Sequence, residues 1–281
     1  MQDESLTGRR ALVTGGARGL GLAMALGLAR AGASVSLVDI DAEALDDARV
    51  RLAAAADATR AMARVADVSD EAAIRSAIAA TLDAFGGLDV LVNDAGIGPP
   101  ANGRSLFSNP EKFWENDLGR WRRTVEVNTM GSHMMAALAV PHMIAGGWGR
   151  IVNVTTSLNA MYMAGCGAYG PSKAALEADT AIMAKDLEGT GVTANVLVPG
   201  GPADTRMIPA DSGIDRAQLI PPERMVPPVV WLASPGSDGV TGMRFQAALW
   251  DPALAPAEAA ERAGAPAAWP QLGAQAIMPH D

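Results

Sequence analysis

The sequence predicts an α/β fold: a doubly wound parallel sheet flanked by helices, in a single domain with a C-terminal extension. Three observations predict it. Short β-branched runs alternate with longer alanine-rich segments of helical period, the order expected of βαβ units. The strand runs, such as Val90-Leu91-Val92, are apolar without alternation, as in a sheet covered on both faces. The 281 residues are 49% apolar and 19% charged, enough for one large core and unlike a disordered or fibrous chain.

In chain order, Arg10–Thr14 reads as a strand and Leu20–Ala31 as a helix stopped by Gly32. Ser34–Asp39 is a second strand and Ala42–Ala56 a second helix. Ala61–Ala66 is a weaker strand, followed by a helix over about Glu71–Phe85 and a strand over Leu88–Asn93. A long polar stretch, Gly98–Arg123, precedes a helix over about Thr124–Ala145. Arg150–Thr155 reads as a strand, Ala168–Glu188 as a helix, and Val192–Val198 as a strand stopped by Pro199-Gly200. A short helix over about Pro227–Ala233 and a last strand, Met243–Leu249, close the domain at residue 250. Residues 251–281 are rich in Ala and Pro and form the extension, partly helical near Ala257–Ala263.

Composition narrows the function classes. Acidic residues outnumber basic ones 31 to 22, for a net charge of −9, and no basic patch of the kind that holds phosphate backbones is present, so no nucleic-acid partner is expected. The Arg120, Arg122, Arg123 cluster is interleaved with Glu115, Asp117 and Glu126 and reads as a solvated helix face. A single cysteine, Cys166, excludes an intrachain disulfide and any site built on paired cysteines. His133, His142 and His280 lack metal-ligand spacing, so no metal is expected. No apolar run reaches the roughly 18–20 residues of a membrane span, and the first ten residues lack a signal-peptide core. The expectation is a cytoplasmic protein without a membrane partner.

The first strand runs into Gly15-Gly16-Ala17-Arg18-Gly19-Leu20-Gly21 and then a helix. Such a turn lets backbone N–H groups and the positive end of a helix meet a pyrophosphate. Gly15 would make the tight turn, Gly19 would admit the phosphates, and Gly21 would let the helix pack on the sheet. Asp39 ends the second strand about 20 residues on, where a carboxylate accepts hydrogen bonds from an adenosine ribose and repels a 2′-phosphate. NAD is therefore favoured over NADP. Arg18 points the other way if it faces a phosphate, and is otherwise an exposed turn residue.

Tyr169 and Lys173 stand at i and i+4, on one face of a helix start. An ammonium within about 4–6 Å lowers a phenol from its ordinary pKa near 10 by roughly 1–3 units. The pair is thus a candidate general acid/base, and Pro171 is tolerated in the first turn.

Together these motifs resemble the classical short-chain dehydrogenases/reductases, from Gly8 to about Thr241 and in the family's order. Asn93-Asp94-Ala95-Gly96 resembles the family's Asn-Asn-Ala-Gly, with Asp94 replacing the second Asn. Asp67-Val68 lies where the family contacts adenine. Val127-Asn128 matches its helix asparagine, and Asn195 to Gly200 its segment under the nicotinamide. The resemblance implies a Rossmann-like NAD(P)-binding domain over residues 1–250 that interconverts a small-molecule secondary alcohol and a ketone. It implies that Gly15, Arg18, Gly19, Leu20, Gly21, Asp39, Asp67, Val68, Asn93, Ala95, Gly96, Tyr169, Lys173, Pro199, Gly200, Pro202, Ala203 and Thr205 bind cofactor. Tyr169 would exchange the proton, Lys173 would lower its pKa and hold the nicotinamide ribose, and Asn128 would hold a relay water. The family's serine stands thirteen residues before the tyrosine, which is Thr156 here; Ser157 follows it, and either hydroxyl is a candidate. A homo-oligomer, dimer or tetramer, is also implied.

Three departures qualify this expectation. Pro202 has no N–H for the carboxamide contact, so Ala203 must serve or the contact is lost. Gly98–Arg123 is longer than is usual and carries Phe107, Phe113, Trp114 and Trp121, which cover the site mouth, pack on a neighbouring subunit, or fill the core. The family's Val-Asp-Gly-Gly ending is missing, and the extension with Trp269 serves an interface, a cover or a frayed tail. Met161, Tyr162, Met163 and Cys166 fall in the loop before Tyr169, as an apolar pocket or as ordinary loop burial. The alternatives are a 3-oxoacyl-type reductase using NADPH, a sugar-nucleotide epimerase or dehydratase, and a non-catalytic NAD(H) sensor. The full Asn128, Tyr169, Lys173 set argues against the last.

Overall fold

Successive residues of each central strand point to opposite faces, and each face finds its own core. In β1 (Arg10–Thr14), Ala11 and Val13 join one cluster while Leu12 joins the other. In β2 (Ser34–Asp39), Val35 and Leu37 pack with the first and Val38 with the second. That is why apolar residues run consecutively in them, Ala11-Leu12-Val13 and Leu37-Val38. The computed structural model describes residues 5–55, 60–99, 109–208 and 214–272.

The first core holds α1 (Gly19–Arg30), α2 (Ala42–Ala55), α8 (Val226–Leu232) and α9 (Pro256–Ala263) through Met24, Leu28, Leu45, Leu52, Val229 and Ala259. The second holds α3 (Glu71–Phe85), α5 (Ser132–Ala145) and the end of α7 (Tyr169–Asp186) through Ile74, Ile78, Met135, Met143 and Ala184. The sheet also includes β3 (Ala61–Val65), β4 (Val90–Asn93), β5 (Gly149–Val154), β6 (Val192–Val198), β7 (Met243–Gln246) and β8 (Gly264–Pro266). Among the described residues it has eight strands in the order β3-β2-β1-β4-β5-β6-β7-β8, parallel up to β7. This is a Rossmann-like sheet. The chain leaves β1 toward β2 and returns on its other side as β4, so the carboxyl ends of β1 and β4 open a crevice at the point where the winding reverses.

Local differences from the expectation have local causes. The helix expected from Thr124 starts at Leu118 as α4 (Leu118–Val125), because Asp117 caps it by accepting from Arg120 N at 2.6 Å. Arg120, Arg122 and Arg123 fall within it, on the charged helix face expected of that cluster. A six-residue π turn, Glu126–Gly131, joins it to α5. A short helix, α6 (Leu158–Met161), follows β5, and the last parallel strand stops at Gln246, with a 3₁₀ turn over Ala247–Leu249.

The described part of the extension, residues 251–272, belongs to the same sheet. β8 pairs antiparallel to β7 with Arg244 opposite Ala265, and α9 buries Ala259, Ala260 and Ala263 in the first core. No helix among the described residues is long and apolar enough to cross a membrane.

Candidate active site

Gly15 and Gly19 both take left-handed backbone conformations, φ +66° and +56°. The loop also leaves no room for side chains. A Cβ on Gly15 would stand 2.8 Å from Ala95 N, and one on Gly21 would stand 2.2 Å from Gly15 O. The packing thus draws the Asn-Asp-Ala-Gly turn after β4 against the glycine loop, and the Thr14 hydroxyl accepts from Asp94 N and Ala95 N at 3.1 and 3.2 Å. No side chain caps the start of α1. Its N–H groups face the crevice as a ready anion site, so these residues fit a dinucleotide pyrophosphate.

At the end of β2, Asp39 accepts from Ala17 N and Asp41 N, each at 3.1 Å. Its carboxylate thereby stays beside the glycine loop. Arg18 is ion-paired with Asp41, so its charge is partnered by a second carboxylate. Beyond β3, Asp67 accepts from Ser69 N and Oγ at 2.9 and 2.8 Å and from Arg123 at 2.5 Å. Burial pushes its pKa up, but the two Ser69 bonds and Arg123 outweigh it and hold the carboxyl below its usual range. Val68 is buried, and its carbonyl lies 2.7 Å from where a Cβ on Gly131 of the π turn would be.

That π turn presents Asn128. The residue is fully buried: its Oδ1 accepts from Ile97 N at 2.7 Å, and its Nδ2 donates to Ile97 O at 3.0 Å and Ser172 Oγ at 2.9 Å. Lys173 lies one turn along α7, 4% exposed, and donates to Val154 O at 2.7 Å. A Cβ on Gly96 would meet both Asn128 Oδ1, at 3.3 Å, and Lys173 Nζ, at 3.5 Å. Asn128, Lys173 and Gly96 therefore converge on one spot at the crevice floor.

Tyr169 begins α7, and the Thr156 side chain after β5 lies close enough to act on its phenol. Ser157 instead opens α6. The expected effect of Lys173 on Tyr169 is corrected here. Burial raises the phenol above its ordinary pKa, the neighbouring Thr156 hydroxyl pulls it down, and Cys166 and Asp94 push it up. The Lys173 ammonium turns toward Val154 O. Burial lowers it to about 8, and Asp94 holds it from falling further.

Pro199, Gly200, Pro202, Ala203 and Thr205 form the wall after β6. Gly200 has φ +95°, and a Cβ there would lie 2.8 Å from that of Ala248. The short bridge between Ala203 and Ile220 uses Asp204 N to Ile220 O and Ile220 N to Pro202 O, both 2.9 Å. It leaves the Ala203 N–H out. Thr205 packs over Gly19, its Cγ2 3.2 Å from where a Cβ would be. Leu20 sits in α1, packed against the first core. Asn93 is buried with a structural task, donating to Asn153 Oδ1 at 2.9 Å and Ser132 O at 3.2 Å.

The aromatic residues of the long stretch do not fill the core: Phe113 is 82% and Trp114 70% exposed. Trp121 and Arg120 line a cavity of about 20 Å³ next to Tyr169, enough for a water. Phe107 lies outside the described residues. In the loop before Tyr169, Met161 and Cys166 are buried while Tyr162 is exposed, and burial pushes the Cys166 thiol up. A much larger cavity, about 1070 Å³, lies at the opposite end of β5 and β6, lined by Arg150, Val192 and Trp269. Among the described residues no group of His, Cys, Asp or Glu could hold a metal ion.

Sequence reasoning missed two supports of this site. Glu177 and Arg244 form a buried ion pair at 2.9 Å; Glu177 also accepts from the Thr155 hydroxyl at 3.0 Å, and Arg244 donates to Thr156 O at 2.8 Å. The signal was present, since Tyr169, Lys173 and Glu177 repeat at four-residue intervals on one helix face. The second is Asp94, whose negative charge holds the Lys173 pKa up against burial.

With this geometry in place, the chain was compared with known proteins. The model of the short chain dehydrogenase family matches residues 9–212. The 2-(R)-hydroxypropyl-CoM dehydrogenase of Xanthobacter autotrophicus is 35% identical over 193 residues, 68% of this chain and 74% of that protein. The cis-4-hydroxycyclohexanecarboxylate dehydrogenase of Sinomonas cyclohexanicum is 34% identical over 248 residues, 85% of this chain and 94% of that one. Among solved structures, a dehydrogenase/reductase from Sinorhizobium meliloti 1021 superposes with a TM-score of 0.74 at 33% identity, covering 85% of this chain and 93% of that one. NAD⁺-bound xylitol dehydrogenase gives 0.74 at 25% identity, covering 85% and 97%.

Proposed function

The chain belongs to the short-chain dehydrogenase family and is an NAD(P)-dependent oxidoreductase acting on CH–OH groups; from that premise we propose that it interconverts a secondary alcohol and a ketone with NAD(H), using Tyr169 as general acid/base. The observation that carries the reading is the convergence of Asn128 Oδ1 and Lys173 Nζ beside Gly96, with Tyr169 one helical turn before Lys173 on α7.

The glycine loop and the uncapped start of α1 hold the pyrophosphate, Asp39 the adenosine ribose, and Asp67-Val68 the adenine end. Lys173 holds the nicotinamide ribose, and the Ala203 N–H, with Thr205, takes the carboxamide that Pro202 cannot. Bound nicotinamide supplies the hydride acceptor or donor. In ketone reduction the raised phenol of Tyr169 gives its proton to the carbonyl oxygen, and Thr156 donates a second hydrogen bond to the same oxygen as charge develops. In alcohol oxidation Tyr169 would take the proton, and Lys173 and Asn128 would lead it on toward solvent. Asp39 and the Arg18–Asp41 pair together leave one negative charge at the ribose end, which favours NAD over a 2′-phosphorylated cofactor.

Tyr169→Phe tests this. Turnover over a panel of cyclic and acyclic secondary alcohols falls by at least about 10²-fold, the usual weight of a general acid, while NADH affinity by fluorescence titration changes less than about twofold. A variant that turns over at the parent rate removes Tyr169 from the chemistry.

A further inference from the structure

Three successive residues at the exit of β5 are each held by a side chain from another element. Lys173 of α7 donates to Val154 O at 2.7 Å, the Thr155 hydroxyl donates to Glu177 of α7 at 3.0 Å, and Arg244 of β7 donates through Nη2 to Thr156 O at 2.8 Å. The pairing with β6 carries on to Thr155, whose N–H donates to Leu197 O at 3.2 Å, and α6 takes over when Ala160 N donates to Ser157 O at 3.0 Å. Between these two, the Arg244 contact is the one hydrogen bond on the Thr156 main chain among the described residues. Arg244 makes it from an anchored position. The residue is 6% exposed, its Nε donates to the fully buried Glu177 at 2.9 Å, and its backbone stands opposite Ala265 of β8.

We propose that Arg244 is a positioning residue for the reaction. With Glu177 fixing one arm of its guanidinium, the other arm holds the Thr156 peptide and so aims the Thr156 hydroxyl at the reacting oxygen beside Tyr169. Arg244 acts through Thr156 and not on the substrate itself. The inference rests on Tyr169 and Thr156 being the groups that meet that oxygen.

The task suits arginine. A guanidinium is a planar fork, and here Nε serves Glu177 while Nη2 serves Thr156 O, so one rigid group satisfies both acceptors. A lysine ammonium is a point charge on a flexible stem. It keeps a positive charge opposite Glu177 but does not fix both acceptors in one plane. Without the fork the Thr156 peptide is free to turn in the gap between β5 and α6, and the hydroxyl on the same residue turns with it. A reacting group misplaced by about 1 Å loses on the order of 10²-fold in rate. The extension belongs to the same line of support, because β8 covers the strand that carries Arg244.

Arg244→Lys is the first variant, and Arg244→Gln combined with Glu177→Gln, which leaves no buried charge unpaired, serves if the lysine fails to fold. Both kcat and KM for oxidation of the secondary alcohols are compared with the parent, with NADH affinity by fluorescence titration. Loss of positioning lowers kcat at least about tenfold, while KM and the NADH Kd stay within about twofold. A smaller fall in kcat in a folded variant overturns the proposal, and so does a change carried by KM. A cycle with Thr156→Ala tests the route. The variant carrying Arg244→Lys and Thr156→Ala together turns over within about twofold of Thr156→Ala alone. Losses that multiply overturn the proposal, because Arg244 then supports the fold at large. Thr156→Ala at the parent rate overturns it as well, since no hydroxyl is then being aimed. Retained turnover in Tyr169→Phe would instead strike the reaction assigned to the site, and it is read without any change at Arg244.

Discussion

Glu177→Ala is the most informative test of what holds the site together. Glu177 has no exposed surface and its two oxygens are both used, one by Arg244 Nε at 2.9 Å and one by the Thr155 hydroxyl at 3.0 Å. Alanine leaves the Arg244 guanidinium, 8% exposed, with the Thr156 carbonyl as its remaining described partner, and strands the Thr155 hydroxyl. Breaking a buried pair from one side costs about 3–5 kcal/mol. The orphaned hydroxyl adds about 1 kcal/mol. For a chain of this length each kcal/mol lowers Tm by about 2 °C, so the variant melts roughly 8–12 °C below the parent. Circular dichroism at a fixed scan rate and protein concentration measures it. The double replacement Glu177→Met with Arg244→Met loses less than Glu177→Ala, because no buried charge is left unpaired. A drop below about 3 °C for the single variant, or a double variant worse than either single, refutes the argument that charge burial is what the pair resolves.

Two further outcomes are expected. Asp41→Asn keeps the bond that caps Ala44 N but frees Arg18; the ratio of NADPH to NADH dissociation constants then narrows by about fivefold, the weight of a partly exposed ion pair, and an unchanged ratio in fluorescence titration excludes Arg18 from cofactor choice. Gly21→Ala places a methyl 2.2 Å from Gly15 O and 2.9 Å from Asp94 Oδ2; it costs about 1–3 kcal/mol in stability and weakens NADH binding more than about tenfold, and a normal dissociation constant by calorimetry would mean the loop yields without consequence.

Much of the site was legible because its chemistry depends on spacing along single elements. The glycine loop, the acid ending β2, and Tyr169 with Lys173 each lie on one strand, turn or helix, where period alone places side chains. What was not legible depends on elements meeting. Which of Thr156 and Ser157 lies toward Tyr169 depends on how β5 releases the chain into α6, a four-residue helix without a side-chain cap. The Glu177–Arg244 pair joins residues 67 positions apart, and no local pattern announces Arg244 as its partner. The direction of the Tyr169 shift was misjudged because spacing brings Lys173 close but says nothing of where its ammonium turns, or of how deeply the phenol is enclosed. The early start of α4 escaped because Leu118, Trp121 and Val125, though spaced at helical period, stand among three arginines, and Leu118 and Trp121 stay exposed, in a stretch that reads as polar.

The three-residue β8 has a consequence for how copies of this chain meet one another. A bare β7 would offer an outward row of amide and carbonyl groups, an invitation to any extended strand in solution. Instead residues 264–266 fold back upon it, and Pro266, set opposite Met243, has no amide hydrogen to give to a further strand. Strand addition is therefore blunted on that side, while β3 forms the other edge of the sheet, where Val65 is exposed.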